Sequence, residues 1–149
     1  IVHSYMIVSL HFYRIIYICN YTRKGRKLIH DNLHGYIHII QYLLGNPYDG
    51  ESVEFNDNKI SLITGQNGRC AVTGEALKIG NMECHHKIPK SLRGTDEYKN
   101  LVWLTIQIHK LIHSTNLDTI AKYLNVLSLD KKGLKKVNSL RKLVGNSVI

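Results

Sequence analysis

The sequence predicts an α+β fold: a small β-hairpin and one helix at the centre, with further helices on both sides. Three observations predict it. First, short segments at residues 70–73 and 82–88 are separated by Gly74, Gly80 and Asn81, which suits a hairpin. Second, residues 105–114 carry Ile108, Leu111 and Ile112 at helical spacing. Third, apolar residues recur at helical intervals before and after this region.

Taken in order, residues 1–18 are β-branched and aromatic, so helix and strand both remain open. A basic turn follows at residues 21–27. Leu28, Ile29, Leu33, Tyr36, Ile37, Ile40 and Leu44 then mark a helix, which Gly35 weakens and Gly45-Asn46-Pro47 ends. Asp57 is a candidate cap for a short helix through Ile60 and Ile63, with Gly65 and Gly68 as its stop. An alternating strand from Val53 is the rival reading. Pro89 stops the second hairpin segment from continuing as an interior strand. Residues 90–99 read as a polar loop around Gly94, and Leu101-Val102-Trp103-Leu104 is strand-like. Leu117, Ile120, Ala121 and Leu124 mark one amphipathic helix. Leu134, Val137, Leu140 and Leu143 mark another, with Lys131, Lys132, Lys135, Lys136, Arg141 and Lys142 on or near its polar face.

Lysine plus arginine number 20 against 11 acids, a net charge of +9. That balance favours a polyanionic partner, nucleic acid ahead of an anionic membrane. Apolar residues make up 44%, enough for a packed core. Cys19, Cys70 and Cys84 form no CxxC pair, so a disulfide framework is not expected and a reducing, cytoplasmic setting is. No secretory signal is legible. His3, His11 and Arg14 interrupt the apolar start, so it reads as buried structure and not as a membrane span. A chain that begins with Ile1 reads as part of something longer.

Four of the nine histidines fall within residues 85–113: His85, His86, His109 and His113. His109 and His113 are four apart, so a helix puts both imidazoles on one face, where they can hold one metal ion. His85 and His86 are neighbours on a predicted strand and point to opposite faces. One can join the metal while the other does something else. Phosphodiester hydrolysis needs that division: a cation on the scissile phosphate and a base for water. Imidazole can be the base at neutral pH.

The string Glu83-Cys84-His85-His86-Lys87-Ile88-Pro89, then Gly94-Thr95-Asp96-Glu97, Asn100-Leu101-Val102-Trp103-Leu104 and His109-Lys110-Leu111-Ile112-His113, resembles an HNH (ββα-metal) nuclease motif. Cys70-Ala71-Val72-Thr73-Gly74 before it resembles the C-terminal endonuclease domain of group II intron-encoded proteins. So does residues 134–146 behind it, while Cys19-Asn20-Tyr21-Thr22 and residues 25–30 resemble the stretch joining maturase to endonuclease. The resemblance implies metal positions at His85, His109 and His113, with His86 as general base. It implies Asn100 as the residue that braces the loop, and Glu83 as a supporting acid. It implies one divalent ion, Mg²⁺ first, with Mn²⁺, Ni²⁺ or Zn²⁺ as alternatives. The expected partner is double-stranded DNA, contacted by Lys87, Lys90, Arg93, Lys99 and Lys110. Group II intron RNA would be engaged through a reverse transcriptase/maturase part that the sequence lacks.

The implied organisation is a mostly helical maturase-like or linker region at 1–64, an HNH endonuclease domain at 65–115 and a basic helical extension at 116–149. Thr73, Thr105 and Ile108 stand where the family's zinc-binding cysteines would, so no structural zinc is expected. Cys70 and Cys84 are expected to pack as small hydrophobes, and Trp103 to anchor the core. The expected activity is DNA strand cleavage as the tail of an intron-encoded protein. The alternatives are an inactive remnant that binds DNA or intron RNA, and a freestanding HNH nuclease.

Overall fold

The computed structural model describes residues 35–149. Along them run α1 (Ile37–Gly45), α2 (Val53–Gly65), β1 (Glu83–His86), β2 (Leu101–Leu104), α3 (Ile106–His113), α4 (Leu117–Leu127) and α5 (Lys131–Leu143). Single 3-10 turns lie at Lys90–Leu92 and Tyr98–Asn100. The α+β class is the one expected. The expectations for residues 1–34, including Cys19, the basic turn and the start of the first helix, lie outside the described residues. Among the described residues, no helix is long and apolar enough to cross a membrane.

The sheet differs from the expected one. β1 pairs antiparallel with β2, in the register Glu83↔Leu104, Cys84↔Trp103, His85↔Val102 and His86↔Leu101. Residues 70–73 form no strand. They close a tight turn, in which Gly74 N donates to Cys70 O at 2.9 Å and Cys70 N donates to Glu75 O at 2.9 Å. Gly74 sits at φ +73°, where a glycine turns without strain. The four-residue apolar segment is spent on the turn, and Arg69 and Ala76 make only an isolated bridge.

That turn covers the far edge of β2. Ala71 N donates to Trp103 O at 3.2 Å. The Gln66 amide accepts from Trp103 N at 2.9 Å and donates to Trp103 O at 3.0 Å. An edge strand with open N–H and C=O groups is thereby satisfied without a third strand.

Two helix boundaries are corrected. α2 starts at Val53, with Ser52 Oγ accepting from Phe55 N at 3.0 Å, so Asp57 is interior and not a cap. Val53 is exposed while Phe55, Leu62 and Ile63 are buried, a helical spacing and not the alternation of a strand. α1 ends at Gly45 as expected, but its buried residues are Ile39 and Leu43, beside Tyr36, while Leu44 is 64% exposed. The segment Ile37-His38-Ile39-Ile40-Gln41-Tyr42-Leu43-Leu44 is apolar nearly all round, so spacing does not select one stripe.

Trp103 is fully buried at the centre, its indole N–H donating to Lys59 O at 2.7 Å. Cys70 and Cys84 are free and buried, as expected. Burial pushes the Cys84 thiol up to about 12, which leaves it an unreactive packing group.

Arg141 is the largest surprise of the C-terminal region. It is not on the polar face of α5 but is 1% exposed. Its guanidinium donates to the Leu111, Ile112 and Ser114 carbonyls, and its Nε donates to Ser147 O at 2.7 Å. Asn146 adds a bond to Ile112 O at 2.8 Å. The last carbonyls of a helix have no partners within it, and its C-terminal end favours positive charge. Arg141 answers both needs at the end of α3. Arg141→Met is therefore expected to cost about 3 kcal/mol of stability, because several buried acceptors lose their donor at once. Urea unfolding checks the value. A change below about 1 kcal/mol would contradict it.

Candidate metal centre

β1 and α3 together bring three imidazoles to one point. His85 leaves β1 toward α3, and His109 and His113 stand one turn apart on the facing side of that helix. Ring centroids lie 5.2 Å apart for His85–His109, 5.1 Å for His85–His113 and 4.6 Å for His109–His113. One ligand atom from each lies within 4.8 Å of the other two, a grouping that can hold a metal ion. His85 Nδ1 and His113 Nε2 are 3.3 Å apart. Two nitrogens bonded to one tetrahedral ion at about 2.0–2.1 Å would stand about 3.3–3.4 Å from each other.

The electrostatics agree with a ligand role. Burial, then the neighbouring His109, His113 and His86, hold His85 down at about 3. Burial and His113 hold His109 at about 4, and burial lowers His113 too. All three are therefore neutral at pH 7, with a lone pair to give. The buried Nε2 of His85 has no hydrogen-bond partner among the described residues. A buried polar atom without a partner is costly in the metal-free protein. The three-imidazole set fits a divalent transition-metal ion.

His86 points the other way and is held by a different group. Its Nε2 meets Asp96 Oδ1 at 2.8 Å. Ser52 Oγ donates to Asp96 Oδ2 at 2.6 Å, Lys90 Nζ is 3.2 Å from Oδ1, and Asn58 Nδ2 donates to Asp96 O at 2.8 Å. Burial works to raise the Asp96 carboxyl, but bonds from Ser52, His86 and Lys90 outweigh it and hold it at about 2. An ionised Asp96 can only accept a hydrogen bond from Nε2–H, which in the matching tautomer leaves the ring lone pair on Nδ1. Phe55 stacks on the His86 ring at 5.1 Å and 13°, fixing its plane.

The loop between the strands owes its shape to Asn100 and Gly94. Asn100 is buried, takes Ile88 N at 2.9 Å, and donates to Ile88 O at 3.0 Å and Thr95 O at 2.8 Å. Its own carbonyl accepts from Lys87 N at 2.7 Å. One side chain thus ties both ends of the loop that carries Asp96 back to His86. A Cβ at Gly94 would overlap the Ile88 carbonyl, so the loop passes there only with glycine.

A cleft of about 330 Å³ takes in both halves, lined by Glu83, His85, His86, His109 and His113 with Phe55, Glu51 and Lys90 among its walls. Glu83 shares the His85 face of β1, and burial raises its carboxyl above the ordinary range. Of the five expected DNA contacts, Lys90 lines this cleft, while Lys87, Arg93 and Lys99 line a separate cavity. Lys90 pairs with Glu51 and Asp96, and Lys99 with Glu97 at 2.7 Å. Lys87 Nζ donates to Lys99 O at 2.6 Å, while Arg93 and Lys110 are exposed.

Asp96, Ser52 and Phe55 had no assigned role in the sequence. Asp96 stands in a quoted string but ten residues from His86, and Ser52 stands 34 before it; no local spacing joins them. Comparisons with protein-family models, with curated proteins and with solved structures give no match to the chain.

Proposed function

We propose that this chain is a metal-dependent endonuclease of the HNH type that hydrolyses a phosphodiester in DNA. The observation that carries the reading is the split of the two adjacent histidines: His85 joins a three-imidazole group while His86 is held apart by Asp96. When bound at His85, His109 and His113, a divalent ion supplies charge neutralisation on the scissile phosphate and stabilises the leaving 3′-oxygen. The chain's own residues do the rest. His86, oriented by Asp96 and the Phe55 ring, takes a proton from water at Nδ1. The hydroxide formed attacks phosphorus, and the P–O3′ bond breaks. Asn100 holds the loop, and so Asp96, in register with His86. Glu83 lines the cleft from the His85 face of β1.

Three imidazoles suit Ni²⁺ or Zn²⁺ better than Mg²⁺, which prefers oxygen ligands and retained water, and Mn²⁺ stands between them. The donor set therefore moves Mg²⁺ from first place. Resemblance to the tail of group II intron proteins supports a role in cutting one target strand. A freestanding nuclease has the same site. The positive charge of the whole chain fits a polyanionic substrate under either reading.

Incubation with supercoiled plasmid tests the reading. Open-circular product is expected with at least one of Mn²⁺, Ni²⁺, Zn²⁺ and Mg²⁺ and none with chelator. Binding without any cleavage, across all four metals, would favour the inactive remnant. A second test addresses positioning. Asp96→Ala is expected to slow nicking about 10- to 100-fold at unchanged metal affinity, the scale of a misoriented catalytic group. An unchanged rate would remove Asp96 from the mechanism.

A further inference from the structure

We infer that the lysine face of α5 is a second nucleic-acid contact, holding the phosphodiester backbone beside the cut; this rests on the polyanionic substrate of the reading above. Lys131, Lys132, Lys135, Lys136 and Lys142 are all exposed. α5 contains no acidic residue, and the ion pairs among the described residues include none of the five. Asp130, just before the helix, is engaged as its cap on Gly133 N. An ordinary solvated helix face mixes both signs of charge; this one does not.

The geometry suits a strand of phosphates. At 100° per residue, Lys131, Lys135 and Lys142 fall within about 40° of one another and span about 16 Å along the axis. That is roughly five steps of one DNA strand at 3.4 Å each. The opposite face is fixed inward by Gly133, Val137 and Arg141, all buried, so the lysines have one orientation. The C-terminal end of α5 also approaches the loop that follows His86. Leu143, at the end of α5, lines a cavity of about 360 Å³ together with Lys87, Arg93, Lys99 and Asn100, on the loop that follows His86.

An anionic membrane is the competing class. A helix that lies in a bilayer surface inserts its apolar face, and the apolar face of α5 is already committed to the core. Nucleic acid is the partner the arrangement favours.

Binding of a 30-base-pair duplex, measured by fluorescence anisotropy in chelator across a salt series, tests the inference. The triple variant Lys131→Gln, Lys135→Gln, Lys142→Gln leaves Lys136 in place, because Lys136 donates to Ala71 O. It is expected to bind about 10- to 100-fold more weakly at 0.15 M salt, with the slope of log K against log salt reduced by about 2.7. The loss is expected to be equal for two unrelated sequences, since phosphate contacts carry no sequence information. The corresponding triple arginine variant is expected to keep the slope. An unchanged slope in the glutamine variant overturns the inference, as does capture by phosphatidylserine vesicles with no duplex binding. The outcomes separate from those of the nuclease reading. A reduced slope in a protein that never cleaves leaves α5 as a DNA contact and removes the nuclease. Cleavage by wild type with an unchanged slope does the reverse.

Discussion

His109→Ala is expected to abolish divalent-ion binding at micromolar concentrations and to lower plasmid nicking at least about a thousandfold. The magnitude follows from the several kcal/mol that charge neutralisation on the phosphate provides. The structural reason is geometric. Among the described residues three protein donors converge, and two of them, His109 and His113, depend on the same helix turn. Losing one leaves a two-ligand site, which binds first-row metals weakly. His109 is only partly buried and makes no bond that α3 needs, so the fold is expected to survive. The His109 imidazole makes no side-chain hydrogen bond among the described residues, so the metal-free variant is expected to be about as stable as wild type. Isothermal titration with Mn²⁺ and thermal melting read the two effects separately. Wild-type affinity in His109→Ala would place the ion elsewhere.

The second large effect is at His86. His86→Ala is expected to lower the rate about 10²- to 10⁴-fold, the usual contribution of a general base, while the Mn²⁺ affinity stays at the wild-type value. The two results together distinguish the histidine neighbours. His85 and His86 differ by one residue, but β1 sends them to opposite sides. His85 is 3% exposed among imidazoles; His86 is held by a carboxylate at 2.8 Å and stacked on Phe55. If His86→Ala lost the metal instead, the two roles would have to be exchanged.

Much of the metal side was legible in the sequence, and for a simple reason. An i, i+4 histidine pair is a local pattern, and the helix that carries it is short, amphipathic and correctly bounded by residues 105–114. A histidine doublet on a strand divides its side chains by pleat geometry, whatever the partner strand is. Asn100 was legible only through resemblance, yet its hydrogen bonds to Ile88 and Thr95 are those of a loop brace.

What was not legible depends on distance along the chain. The partner of β1 is β2, across a 14-residue connection, and not the nearer segment at 70–73. Local turn signals favoured the nearer pairing; burial of all four residues of β2 favoured the other. The support of His86 comes from Phe55 on α2 and from Asp96 in the loop, itself held by the α2 cap Ser52, contacts no periodicity encodes. Arg141 was read as a surface charge because basic residues on a lysine-rich helix usually are. Its burial becomes intelligible only with the end of α3 beside it, where unpaired carbonyls require a donor. Within α1 the expected stripe of Ile37, Ile40 and Leu44 gives way to Ile39 and Leu43, because an all-apolar segment has no unique face.

These corrections also link the flanks to the site. The start of α2 supplies groups that hold His86 and Asp96, and α5 supplies the cap on the C-terminal end of α3. Neither behaves as a detachable appendage in the described residues.

The most direct measurement of the central claim is a single-turnover nicking rate followed through a Mn²⁺ titration, with ion binding read by electron paramagnetic resonance in the same samples. One ion per chain is predicted, with rate and occupancy sharing one midpoint. In His86→Ala the occupancy curve is predicted to be unchanged and the rate curve flat. Cleavage that persists in chelator, or a rate that rises with a midpoint unrelated to occupancy, would contradict the account.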